Sequence, residues 1–166
     1  WEGPIRTVLS YEGKDIHYSN LLEFQINRLG RLNENHSIIE LRPLPSKKLS
    51  GSTWFYKFFS KIDYLKSKKD YEKYITEKRI EYIKSFLKKS SFKHIVFLSM
   101  NYQNRGYWKE IANSDFKNID KDFIASSDNK FFITHHPTSY PKKDDLVCGS
   151  LKQVFVELGN YLKSLK

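Results

Sequence analysis

The chain has 166 residues, 39% apolar and 16% aromatic, which suits one domain with a substantial core. Its 29 Lys and Arg against 19 Asp and Glu give a formal net charge of +10. Such a field favours polyanions: nucleic acid first, an anionic membrane surface second, with a merely lysine-solvated surface as the plainer account. Cys148 is the only cysteine, which excludes an internal disulfide and makes a reducing, cytoplasmic setting the expectation.

No Cys/His grouping has zinc spacing, so neither metal nor cofactor is expected. No apolar run approaches the ~20 residues that cross a bilayer, and no signal-peptide pattern is present, so no membrane partner is expected. The first residue is Trp rather than Met. The expectation is a single domain over 1–166, with room for missing N-terminal residues.

Tyr18 to Leu29 reads as a helix, with Leu22, Ile26 and Leu29 on one face and Asn20 and Glu23 at capping-box spacing. Ser37 to Leu41 is a β-rich run that predicts a strand, stopped by Pro43 and Pro45. Leu44 to Thr53 is a loop rich in Pro, Ser and Gly, followed by an aromatic stretch from Trp54 to Phe59. Asp70 to Lys89 is the longest predicted helix, with Tyr71, Ile75, Tyr82, Ile83 and Phe86 on one side. Arg79 falls within that side and must either snorkel to its edge or turn inward to an acceptor.

His94 to Ser99 is the clearest strand. A short helix is predicted over Gly106 to Ala112, and strands over Asp122 to Ala125 and Lys130 to Thr134. The chain ends in an amphipathic helix whose stripe is Leu151, Val154, Phe155, Leu158, Leu162 and Leu165, with Gly149-Ser150 at its start. Strands alternating with helices predict an α/β fold with a mainly parallel sheet and helices on its faces.

In open α/β sheets ligands bind beyond the carboxyl ends of the strands. Three such ends can be placed here: Glu40 to Ser46, Met100 to Arg105, and His135 to Tyr140. Glu40, Arg42, Ser46 and Asn101 are therefore candidate substrate contacts. His135 and His136 are adjacent on extended chain, so only one faces a common cleft. Pro137 fixes the backbone after His136, and the Thr138 and Ser139 hydroxyls suit a phosphate. A histidine so held can donate a hydrogen bond to charge developing on a base or phosphate. The plainer account is an exposed histidine before a turn.

Phe55, Phe58 and Phe59 are assigned to the core, and Trp54 and Tyr56 to the site, where aromatics stack on bases. Core burial is also favoured for Tyr107 and Trp108. The sequence contains no Gly-rich phosphate loop, no G-x-S-x-G elbow and no H-E-x-x-H.

The strand leading to His136-Pro137-Thr138-Ser139, with a spacer and a C-terminal helix, resembles the end of the uracil-DNA glycosylase superfamily, where a His-Pro-Ser-type motif follows the last strand. Leu44-Pro45-Ser46, then Gly51 to Tyr56, then a long helix carrying Arg79-Ile80, are similar to uncharacterised bacterial members. The resemblance spans roughly Leu21 to Tyr161. It implies a three-layer α/β/α sandwich with a roughly four-stranded central sheet, which flips a nucleotide out of the duplex into a pocket, with single- or double-stranded DNA as the expected partner. By that resemblance His136 steadies negative charge on the departing base, while Pro137, Thr138, Ser139, Lys142 and Lys143 hold the DNA backbone.

Two departures accompany it. The superfamily's first G-x-x-P-type loop has no counterpart after Trp1, and Glu40 and Arg42 stand where many members carry an asparagine that reads the base edge. They imply a base other than uracil, or binding without cutting. Three readings remain: a DNA glycosylase-like enzyme, a catalytically silent nucleic-acid- or nucleotide-binding domain of the same fold, and a small-molecule α/β enzyme acting on an anionic substrate.

Overall fold

Helix α1 (Glu2–Glu12) carries Pro4 in its first turn, where a missing N–H breaks no intrahelical bond. It ends at Gly13, which takes the left-handed conformation (φ 74°), and the Gly13 and Lys14 N–H groups close onto the Ser10 and Leu9 carbonyls. Ile5 and Leu9, four residues apart, share its buried face and pack with Leu21 and Phe24 of α2 (Tyr18–Asn27). The sequence predicts no element before Tyr18 and predicts Leu22, Ile26 and Leu29 as the inward face of α2. The structure rotates that helix: Leu21 and Phe24 go inside, while Leu22 and Ile26 are exposed. Two apolar rows compete on α2, and packing against α1 selects between them. The capping box does not form, because the helix begins directly after His17 and the Asn20 amide donates to the Asp15 carbonyl.

The computed structural model describes residues 1–31, 34–44, 54–58, 61–119, 121–138 and 150–166. They divide into two compact units, one of Trp1–Ile38 with Phe92–Lys166, the other of Ile39–Ser91.

The larger unit holds an open four-stranded sheet: β1 (Ile95–Leu98), β2 (Phe116–Asn118), β3 (Phe123–Ser126) and β4 (Phe131–Thr134), in the order β1-β4-β3-β2. Only β1 and β4 run parallel; the β4–β3 and β3–β2 pairs are antiparallel. The protein is thus α/β with a mixed sheet rather than a mainly parallel one. The cause lies in the connections. Only residues 119–122 and 127–130 join β2, β3 and β4, too few for a parallel crossover. The second turn closes with Asn129 in the left-handed region (φ 53°) and the Asp128 carboxylate accepting from the Lys130 N–H. The one parallel pair is connected through α4 (Tyr102–Ala112) and the β2–β3 hairpin, a longer excursion.

Register separates the two sheet faces. Phe123, Ala125 and Phe132 pack against Leu158 and Leu162 of α5 (Leu151–Ser164), the stripe the sequence predicts. On the opposite face Phe97 lies parallel to the Trp108 indole of α4 at 4.9 Å and to Phe131 at 6.0 Å. Helix α5 also meets α1, where the Thr7 hydroxyl donates to the Phe155 carbonyl at 3.0 Å.

The smaller unit is built on α3 (Lys68–Lys89), which starts two residues before the predicted Asp70 because Ser67 caps it, accepting from the Asp70 N–H at 3.0 Å. Its buried residues are Tyr71, Thr76, Ile80 and Ile83, whereas the predicted Tyr82 is exposed. Ser37 to Leu41 forms no strand. Instead the Glu40 carbonyl accepts the Arg79 guanidinium at 2.7 Å, and that guanidinium lies over the Tyr82 ring at 4.9 Å. Arg79 therefore pairs at the surface with a backbone oxygen.

Candidate functional site

The parallel pairing of β1 and β4 decides which predicted loops can meet. Leu98 is in register with Thr134, so the segments that begin at Ser99 and His135 leave adjacent strands from the same end. The Ser99 N–H donates to the Thr134 carbonyl at 2.9 Å, carrying the ladder one step past the strands. Ser99 itself has φ 132°, a left-handed value that costs a non-glycine residue on the order of 1–3 kcal/mol. Three bonds hold it there: that N–H bond, the Trp108 indole N–H to its carbonyl at 3.1 Å, and the Asn104 amide to its hydroxyl at 3.0 Å. Strain secured in this way collects at functional sites.

Beyond β4 the two histidines diverge, as alternation on extended chain requires. His135 turns to the β3 side, where its Nε2 stands 3.9 Å from an oxygen of the fully buried Asp122. The Thr134 hydroxyl donates to the Asp122 carbonyl at 2.9 Å, which ties the two strand ends together. His136 is exposed and makes local contacts instead. Its Nδ1 accepts the Thr138 backbone N–H at 3.2 Å and lies 2.8 Å from the Thr138 hydroxyl oxygen. A ring nitrogen that accepts from a backbone N–H carries no proton, so the neutral ring holds its hydrogen on Nε2. Desolvation also keeps the His136 pKa below the ordinary histidine value, favouring the same neutral form. Pro137 keeps His136 out of the helical region and so fixes where the ring begins.

The other expected site residues separate into three groups. His136, Pro137, Thr138 and Asn101 lie at the β1 and β4 exits, but Asn101 is first of all the cap of α4, its Oδ1 accepting from the Asn104 N–H at 2.8 Å. Glu40, Arg42, Trp54 and Tyr56 belong to the Ile39–Ser91 unit. There Arg42 pairs with Glu72 at 3.6 Å. Trp54 is 2% exposed, a core residue rather than a stacking surface. Its indole donates to the Leu65 carbonyl at 2.7 Å and its ring stacks on Tyr71 at 5.1 Å. Tyr56 leans on Trp54 at 4.7 Å and is half-buried. The assignment is thus reversed for Trp54, Phe55 and Phe58, since the two phenylalanines are the exposed ones. Ser46, Ser139, Lys142 and Lys143, with Phe59, lie outside the described residues.

Sequence reasoning gives Asp122 and Ser99 no role and weighs His135 only as the neighbour of His136. A charged residue directly ahead of an apolar run, as in Asp122-Phe123-Ile124, is the one signal that points to the first. Strain at Ser99 leaves none. Among the described residues no group of three or more His, Cys, Asp or Glu is placed to hold a metal, and no helix is long and apolar enough to cross a membrane. An open depression of about 410 Å³ lies at the C-terminal end of α4, lined by Lys109, Glu110, Asn113, Ser114 and Asp115. It sits at the end of α4 opposite the strand exits and has no apolar wall, so it does not make a ligand pocket.

No family model, curated protein or solved structure matches this chain. The site must be read from its own geometry.

Proposed function

We propose that the protein is a DNA glycosylase-like hydrolase that cuts the N-glycosidic bond of a flipped uracil or modified base, with His136 as the group that steadies the departing base. The observation that carries the reading is the Thr138 N–H bond to His136 Nδ1, which leaves the neutral ring with its proton on Nε2. In the reaction the bond between base nitrogen and sugar carbon breaks and its electron pair leaves with the base. The Nε2–H donates a hydrogen bond to that developing anion, water adds its oxygen to the vacated sugar carbon, and the proton that water gives up ends on the released base. Pro137 and Thr138, with Ser139, Lys142 and Lys143, are assigned to the DNA backbone. The three-layer α/β/α arrangement that goes with this reading is supported by Trp108 of α4 on one sheet face and Leu158 of α5 on the other.

A catalytically silent nucleic-acid- or nucleotide-binding domain is the second reading. It is favoured by the fate of Glu40 and Arg42, one holding Arg79 through its carbonyl and the other paired to Glu72. Oligonucleotides carrying uracil or another altered base, incubated with the protein and treated with alkali, separate the two. Strand cleavage that disappears in His136→Ala supports the enzyme; no cleavage at any base tested leaves the binding domain.

A further inference from the structure

The charge of this chain is concentrated in one unit. Ile39–Ser91 contains 14 Lys and Arg against 6 Asp and Glu, a net charge of +8 out of the chain's +10. The remaining residues hold 15 against 13, close to neutrality. Three of the six acids are already committed within the unit: Asp63 to Lys66, Glu72 to Arg42 and Glu81 to Lys84. The excess that remains is cationic, and one of its lysines, Lys57, sits beside an exposed ring. Phe58 is 71% and Phe55 54% exposed on one short 3-10 helix (Phe55–Phe58), while Trp54 beside them takes the core position. Lys57 places its ammonium 4.7 Å from the Phe58 ring centre, and Lys61 follows, also exposed.

Large apolar side chains on a surface normally stand singly among polar ones and need no account. Here two phenylalanines on one turn alternate with lysines, in the unit that carries most of the charge. Rings and lysines together match a chain that offers flat bases and phosphates at short intervals. Duplex DNA hides its base faces in the stack, whereas a single strand presents them.

We infer that the surface of Phe55, Lys57, Phe58 and Lys61 binds single-stranded nucleic acid, the bases stacking on Phe55 and Phe58 and the phosphates meeting Lys57 and Lys61. This goes beyond the base-cutting proposal and depends on it only for the choice of nucleic acid over other polyanions. It assigns the affinity to the Ile39–Ser91 unit, whereas the His136 loop belongs to the other unit.

Fluorescence anisotropy of a short labelled oligothymidylate, titrated with the whole chain at several salt concentrations, tests it. Stacking predicts that Phe55→Ala with Phe58→Ala weakens binding at least about tenfold, with the salt slope unchanged. Phosphate contact predicts that Lys57→Gln with Lys61→Gln lowers that slope by about 1.4, roughly 0.7 for each lost contact on a single strand. Lys109→Gln with Lys117→Gln, exposed lysines of the other unit, should leave it unchanged. All these side chains are exposed, so the variants keep the fold, which circular dichroism verifies. Unchanged affinity in the phenylalanine variant overturns the inference, as do equal slope changes in both lysine pairs. A phenylalanine variant that loses binding to phosphatidylserine vesicles but not to the oligonucleotide overturns it in favour of a membrane surface. If oligonucleotide binding behaves as predicted and no base is ever released, only the base-cutting proposal fails.

Discussion

Two glycines in helix interiors should respond oppositely to the same methyl group. At Gly106 in α4 an added Cβ meets nothing within 4 Å. At Gly159 in α5 it would stand 2.5 Å from the Thr7 carbonyl oxygen, 2.6 Å from the Ser10 Cβ and 3.1 Å from the Tyr11 N. Two of those three atoms are backbone of α1 and cannot rotate away. Replacing glycine by alanine in a helix interior gains about 0.8–1.0 kcal/mol of intrinsic preference. Gly106→Ala should therefore stabilise by about 1 kcal/mol. Gly159→Ala receives the same gain but must force two helices apart, and overpacking costs about 1–3 kcal/mol. With backbone as the obstacle the upper end applies, for a net loss of about 2 kcal/mol. Urea unfolding reads both, and in a chain of this size each kcal/mol moves the thermal midpoint by roughly 2–4 °C. If Gly159→Ala stabilised the protein as Gly106→Ala does, the close approach of α1 and α5 would be refuted.

Acid should weaken the fold in two stages. Desolvation holds the His36, His94 and His136 imidazoles below the ordinary histidine value. The unfolded chain then takes up more protons near pH ~6.5, so stability is full above that range and falls as pH drops through it. Lower down, the Arg28 guanidinium holds Glu12 at about 2 against an ordinary 4.5, so that contribution is lost as pH falls between those values. Urea midpoints measured from pH 7.5 downward check both stages; a midpoint that rose on acidification would contradict them. In Arg28→Ala the Glu12 carboxyl should titrate near its ordinary value by NMR, and a Glu12 that stayed depressed would remove Arg28 as the cause. Trp108→Phe keeps the ring on Phe97 but leaves the buried Ser99 carbonyl without its indole donor, a loss of about 1–3 kcal/mol by urea unfolding. A loss below about 0.5 kcal/mol would show that Ser99 is held by its other two bonds.

Legibility followed the physical range of each signal. The α5 stripe, the β1 and β4 runs and the long α3 were readable because they are long or strongly patterned. The direction of the strands was not, although the short Ser127-Asp128-Asn129-Lys130 turn does carry it, since four residues cannot return a chain to parallel pairing. Helix α1 was announced by Pro4, by Ile5 and Leu9, and by Gly13, yet each is a weak mark alone. Missing it also misplaced the face of α2, whose two apolar rows are equivalent until a neighbour chooses between them. At the site, the position of His136 at a strand exit was readable, and Pro137 said why it is fixed. The partner of its Nδ1 was not, because a backbone N–H two residues on depends on the turn that forms. The aromatics failed for a different reason. Trp54 and Phe58 have similar hydrophobicity, and only the packing of Tyr71 and the Leu65 carbonyl decides which is inside.

The base-cutting proposal rests on one donor, the Nε2–H of a neutral His136. Its most direct test is the single-turnover rate of base release from the best substrate found, compared between wild type and His136→Ala. Loss of a preorganised donor to a developing anion costs on the order of 10²–10³ in rate, so a fall of that size, with substrate affinity retained, is the predicted result. An unchanged rate would contradict the role assigned to His136.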